Sequence, residues 1–111
     1  DWAVAHKQRS SDVEVRITLP NIDFQNRIVV LVDDVISTGH TLAQAAREIQ
    51  KAGTSKICCL VTHALFADGA LELLHQAGIK DIWSSDSITH QSNVIQLANT
   101  LASQLQSLIR D

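Results

Sequence analysis

The chain has 111 residues, 45% of them hydrophobic and 19% charged, with a formal net charge of −3. That length is enough for one domain with a core, and the composition is that of a globular chain rather than a disordered one. The slight acidity argues against a general nucleic-acid surface, and no apolar run approaches the roughly 18 residues that would span a membrane.

No signal peptide stands at the start, which reads Asp1-Trp2-Ala3-Val4-Ala5-His6-Lys7. Methionine is absent even at position 1, so the chain is expected to be a piece of a longer protein. Cys58 and Cys59 are the only cysteines. Adjacent on a predicted strand, they point to opposite faces and are not expected to pair, so they are expected to be small core residues of a reducing, cytoplasmic compartment.

Trp2-Ala3-Val4-Ala5 is a short apolar run expected to form a strand, and His6 to Ser11 a polar and basic loop. Val13 to Leu19 alternates apolar and polar residues, the pattern of a half-exposed strand. Pro20-Asn21 ends it, and a turn over Asp23 to Asn26 follows. Arg27 to Val32 is a continuous Val/Ile/Leu run, expected to be a strand buried on both faces in a parallel sheet.

Leu42, Ala45, Ala46 and Ile49 then make one helical stripe, with Gly53 where a C-terminal cap belongs. Lys56 to Val61 is a second buried strand. Asp68 is expected to cap a helix whose Leu71, Leu74 and Ala77 face the core, and Gly78 ends it. Ile79 to Trp83 and Val94 to Leu97 are further short strands. Ala98, Leu101, Ala102, Leu105, Leu108 and Ile109 form a last helical stripe.

Strand and helix alternate from Arg27 onward with short links, the signature of βαβ units. The expected fold is α/β: a single domain over 1–111, three-layered, with a mostly parallel sheet flanked by helices and an antiparallel strand near the N-terminus.

The stretch that carries chemistry is Asp33-Asp34-Val35-Ile36-Ser37-Thr38-Gly39-His40-Thr41, at the strand end where open α/β sheets bind ligands. A loop entering a helix presents free N–H groups and the positive end of the helix dipole, which suits an anion. Ser37, Thr38 and Thr41 add hydroxyl donors, and Gly39 lets backbone approach closely. Asp33 and Asp34 accept hydrogen bonds from sugar hydroxyls, directly or through a divalent cation. Phosphate at one end and vicinal hydroxyls at the other describe a ribose 5-phosphate moiety.

The run Val30 to Leu42 resembles the phosphoribosyl-pyrophosphate (PRPP) motif of the type I phosphoribosyltransferase fold. Three other segments resemble the ribose-phosphate pyrophosphokinases in particular. Asp1 to Arg9 is similar to a strand leading into a Lys-x-Arg loop. Val61-Thr62-His63-Ala64-Leu65-Phe66-Ala67-Asp68-Gly69-Ala70 is similar to a Thr-His-x-x-Phe-Ser-Gly-x-Ala segment, and Ser85-Asp86-Ser87-Ile88 to a Thr-Asn/Asp-Thr-Ile run.

The resemblance implies transfer of the β,γ-diphosphoryl group of ATP to the 1-hydroxyl of ribose 5-phosphate, with Mg²⁺. Lys7 and Arg9 would be the catalytic cations. Asp33 and Asp34 would hold the ribose, one of them also through Mg²⁺. Ser37, Thr38, Gly39, His40 and Thr41 would hold the 5-phosphate. It also implies a missing N-terminal domain that supplies the ATP site, a homo-oligomer, and little turnover by these 111 residues alone.

His40 departs from the family, which has glycine there. Three outcomes stay open: weaker phosphate binding, an outward side chain, or an added contact. Two rivals remain as well, a phosphoribosyltransferase that consumes PRPP and a non-catalytic regulatory homologue, the latter favoured by His40. His63 is expected to serve in structural hydrogen bonding or a subunit contact. His75 and His90 are expected on the surface, and Trp2 and Trp83 in a core or interface.

Overall fold

The computed structural model describes residues 1–9 and 15–110, and the side chains of all of these except Arg9 and Val15. The elements run in the order β1 (His6–Arg9), β2 (Val15–Thr18), β3 (Ile28–Ile36), α1 (His40–Lys51), β4 (Lys56–Ala64), α2 (Ala70–Gln76), β5 (Ile79–Ser85), β6 (Asn93–Ile95) and α3 (Ala98–Ile109). β3, β4, β5 and β6 form a parallel sheet in that order, and β1 and β2 a separate antiparallel pair. The α/β class, the parallel sheet and the antiparallel segment near the N-terminus are as the sequence predicts.

Alternation within the strands explains the core. Ile57, Cys59 and Val61 share one face of β4, and their partners Val29 and Leu31 share that face of β3. Leu42, Ala43, Ala46 and Ile49 of α1 and Leu74 of α2 close over them in one buried cluster. Gly53 and Gly78, with φ of 88° and 98°, follow α1 and α2 in the left-handed region. Cys58 and Cys59 are both buried, free thiols.

Several expectations change. Residues 1–5 form no strand, and Trp2 is 90% exposed rather than in a core. The strand is instead His6–Arg9, the segment expected to be a loop, because backbone pairing to β2 sets the hairpin and neither face needs an apolar side chain. Of the predicted strand at 13–19, residues 13 and 14 lie outside the described ones.

β3 is an edge strand. On the side away from α1, Ile28 is 68%, Val30 45% and Val32 71% exposed, so the run predicted to be buried on both faces is buried on one. An apolar run records capacity for burial, while its neighbours decide how much is realised. α3 forms as expected but buries none of its residues. Gly69, at φ 80°, caps α2 in place of Asp68, and no side chain caps that helix.

Candidate functional site

The carboxylate pair sits on strand rather than loop. β3 runs past Val32 through Asp33 and Asp34 to Ile36, because pairing with β4 continues to Val35 opposite His63 and Ile36 opposite Ala64. Asp33 Oδ1 accepts the Asp34 N–H at 2.8 Å, and Asp34 Oδ1 accepts the Val35 N–H at 2.8 Å. Each carboxylate thus spends one oxygen on the backbone and keeps the other.

Their environments differ. Burial pushes the Asp33 carboxyl above its ordinary value, with the Asp34 charge adding to it. Asp34 is exposed, and hydrogen bonds from Asp33 and from the Val35 N–H hold it below its ordinary value. On acidification Asp33 takes a proton before Asp34 does.

The loop after β3 is held by its neighbour. The Phe66 N–H donates to the Ile36 carbonyl at 3.0 Å, and the Ala67 N–H to the Ser37 carbonyl at 2.8 Å. Gly39 then turns the chain at φ 81°, and a Cβ there would stand 3.3 Å from Leu74 Cδ2. The left-handed φ favours glycine, and a Cβ would in addition press on the Leu74 side chain. α1 begins at His40 with no side-chain cap, and its first intrahelical bond is from the Ala43 N–H to the Gly39 carbonyl. The N–H groups of residues 40 to 42 therefore have no helical partner, and the dipole's positive end opens beside the hydroxyls of Ser37, Thr38 and Thr41.

A cation reaches this loop from the other end of the chain. Lys7, on β1, donates from Nζ to Thr41 Oγ1 at 3.0 Å across 34 positions of sequence. Its charge also acts on Asp33. Arg9 lies on β1 opposite Val15, and its side chain is outside the described ones.

His40 is exposed at the first helical position, and its backbone is not in the left-handed region. A side chain there carries no backbone strain. It lines a cleft with Thr38, Asp68, Gly69 and Glu72, toward the start of α2. The structure thus joins Lys7, Asp33, Asp34 and the 37–41 loop at one end of the sheet.

Two contributors were not placed in the site from sequence, although His63 makes the structural hydrogen bond expected of it, to Ser87 Oγ at 2.8 Å. The backbone of 66–67 shapes the loop, and His63 flanks the acid pair. The Thr-His-x-x-Phe spacing marked both without saying what they do. His90 also differs from expectation: it is half-buried, 4.5 Å from the Phe66 ring between centroids, with Nδ1 2.7 Å from Ser92 Oγ.

An acidic strand end followed by an uncapped helix start, at the carboxyl edge of a parallel sheet, places the chain in a class, the α/β domains whose candidate ligand site lies at that edge. Within that class, a family model described as the phosphoribosyl synthetase-associated domain matches residues 9–110, and the chain belongs to that family.

Ribose-phosphate pyrophosphokinase 2 of Archaeoglobus fulgidus is 37% identical over 105 residues, covering 95% of this chain and 39% of that protein. The ribose-phosphate pyrophosphokinase of Sulfolobus acidocaldarius is 34% identical over 110 residues, covering 95% of this chain and 38% of that protein. The crystal structure of phosphoribosylpyrophosphate synthetase from Mycobacterium smegmatis matches with a TM-score of 0.67 at 20% identity, over 95% of this chain and 36% of that one. At that identity the likeness shows the fold. The chain thus spans less than two fifths of the length of these relatives.

Proposed function

We propose that this chain is the ribose 5-phosphate-binding part of a ribose-phosphate diphosphokinase, which makes PRPP from ATP and ribose 5-phosphate. The observation that carries the reading is the 3.0 Å contact of Lys7 Nζ with Thr41 Oγ1, which brings a cation onto an anion-ready loop beside two carboxylates. In this reading the 5-phosphate lies on the N–H groups and hydroxyls of residues 37–41. Asp33 and Asp34 accept the ribose hydroxyls.

The 1-oxygen then bonds to the β-phosphorus of ATP, the bond from that phosphorus to the α-phosphate oxygen breaks, and AMP leaves. Lys7, with Arg9, neutralises charge on the transferring group. Asp33 and Asp34 also fit Mg²⁺, which takes oxygen ligands from one or two carboxylates together with substrate phosphates and would supply further charge neutralisation. ATP, a domain that binds it and further copies of the chain complete the proposed assembly.

The test is a titration of the isotope-labelled chain with ribose 5-phosphate, followed at the backbone amides. Shifts confined to residues 33–41 and Lys7 are expected, with none from ribose that lacks the phosphate. Amides of Ser37 to Thr41 that stay still at millimolar ligand overturn the reading. In a full-length parent, ATP, Mg²⁺ and ribose 5-phosphate should release AMP. PRPP consumption on adding a base, with no AMP formed, would favour the transferase instead.

A further inference from the structure

His63 ends a chain of hydrogen bonds whose direction can be followed atom by atom. The Ser87 hydroxyl donates to the Thr62 carbonyl at 3.0 Å. A hydroxyl has one proton, so the same oxygen receives its second contact as an acceptor. That contact is His63 Nδ1, at 2.8 Å. With the Ser87 proton on the Thr62 carbonyl, Nδ1 is the donor to Ser87 and carries the imidazole proton.

Ser87 is itself fixed, since its N–H donates to Ser85 Oγ at 3.2 Å, and Ser85 Oγ donates to the same Thr62 carbonyl at 2.6 Å. Two serines from the end of β5 and the loop after it thus hold one ring of β4 in one tautomer. Such a bond at one ring nitrogen dictates what the other nitrogen can do. Nε2 is left with a lone pair and, among the described residues, no hydrogen-bond partner.

The ring's position gives that lone pair a purpose. His63 pairs with Val35 across the parallel ladder, one residue beyond Asp34 and two beyond Asp33. It is half-buried at the end of the sheet where the loop and the acid pair lie. By strand alternation its side chain shares a face with Val35 and Asp33, so it stands at the edge of the acid pair. Simple structural packing of a histidine asks for neither an oriented relay nor a free acceptor beside two carboxylates.

We propose that His63 is a sugar-binding residue whose Nε2 accepts a hydrogen bond from a hydroxyl of the bound ribose phosphate, with Ser87 as the positioning residue that fixes the tautomer. This rests on the ribose 5-phosphate site proposed above. The acid pair and Nε2 would be three acceptors for the hydroxyl protons of the sugar. The 5-phosphate, held at the far end of the loop, would not feel His63.

The experiment compares the 111-residue chain with His63→Asn, His63→Gln and Ser87→Ala variants, titrated with ribose 5-phosphate and separately with inorganic phosphate. Asparagine keeps a donor near Nδ1 and loses the acceptor at Nε2; glutamine returns an acceptor near Nε2. Loss of one ligand hydrogen bond predicts about tenfold weaker ribose 5-phosphate binding for H63N, with inorganic phosphate unchanged and partial recovery in H63Q.

Long-range proton–nitrogen NMR of the His63 ring should show Nδ1–H in the wild type and a shift toward Nε2–H in S87A, whose sugar binding weakens in step. Equal binding by wild type and H63N, equal weakening for both ligands, or an Nε2–H ring in the wild type each overturn the inference and leave the site reading standing. No ribose 5-phosphate binding by the wild type overturns the site reading and this contact with it.

Discussion

Asp33 and Asp34 are neighbours with opposite electrostatic fates, and this gives the site a pH signature. Asp33 is raised in the folded chain, so its contribution to stability is complete below the ordinary value of 3.8 and is lost as pH rises through the raised value. Asp34 is lowered, so its contribution is present above 3.8 and is lost as pH falls through its lowered value. Asp33→Asn keeps an acceptor for the Asp34 N–H and removes a half-buried charge beside another. Its melting temperature should exceed that of the wild type at pH 7, and the two should converge near pH 3. A melting curve at pH 7 no higher than wild type would refute this assignment.

Cys59 shows the other effect of burial on ionisation. Its thiol is pushed up to about 12 by desolvation, with the neighbouring Cys58 adding to it. At pH 8 a thiol-specific reagent should leave Cys59 unmodified in the native chain and react fully in denaturant.

Between the elements, the loop depends on α2 as much as on α1. Leu74 is fully buried and is the side chain that Gly39 packs against. Leu74→Ala should cost about 2–5 kcal/mol of stability, as buried leucine truncations do. It should also move the amide signals of residues 37–41, because the cavity opens directly under the turn. Gly39→Ala meets both a left-handed φ and the same leucine, so it should perturb those amides too.

The hairpin makes the second link. Removing Lys7 takes away the bond to Thr41 without touching the core. Lys7→Ala in a full-length parent should therefore lower turnover far more than sugar binding, and an equal loss of both would argue against a role in stabilising the transition state. The helix stripes were legible in sequence because Leu42, Ala46 and Ile49 sit at a spacing that sheet contact requires. β1 was not, since His6–Arg9 owes its strand to a partner brought near by the fold rather than to its own residues.

For the molecule as a whole, the alternation from β3 onward was readable, whereas strand position in the sheet was not. Val30 and Val32 belong to an unbroken apolar run, yet the run says nothing of which strand lies beyond it. The site was legible where chemistry and spacing coincide, at Asp33 to Thr41. For His63 the sequence predicted a structural hydrogen bond but not its partner, because Ser87 reaches it through a sheet arrangement that sequence does not print.

α3 also departs from the core: Leu101, Leu105, Leu108 and Ile109 are all exposed. The radius of gyration, 16.2 Å, exceeds the value of about 13 Å expected for a compact chain of this length. Bare apolar faces of this kind bind hydrophobic dyes. Replacing Leu101, Leu105 and Leu108 by glutamate should reduce dye fluorescence while leaving the melting curve nearly unchanged, because α3 buries nothing. Undiminished fluorescence would locate the dye on the bare face of β3.

The two backbone bonds from Phe66 and Ala67 to the carbonyls of Ile36 and Ser37 have a kinetic consequence. They give the loop its shape before any ligand arrives, so little ordering entropy is lost on binding. Ligand capture should then be a single encounter with no gate. The observed association rate should rise linearly with ribose 5-phosphate concentration, without the plateau that a slow rearrangement imposes.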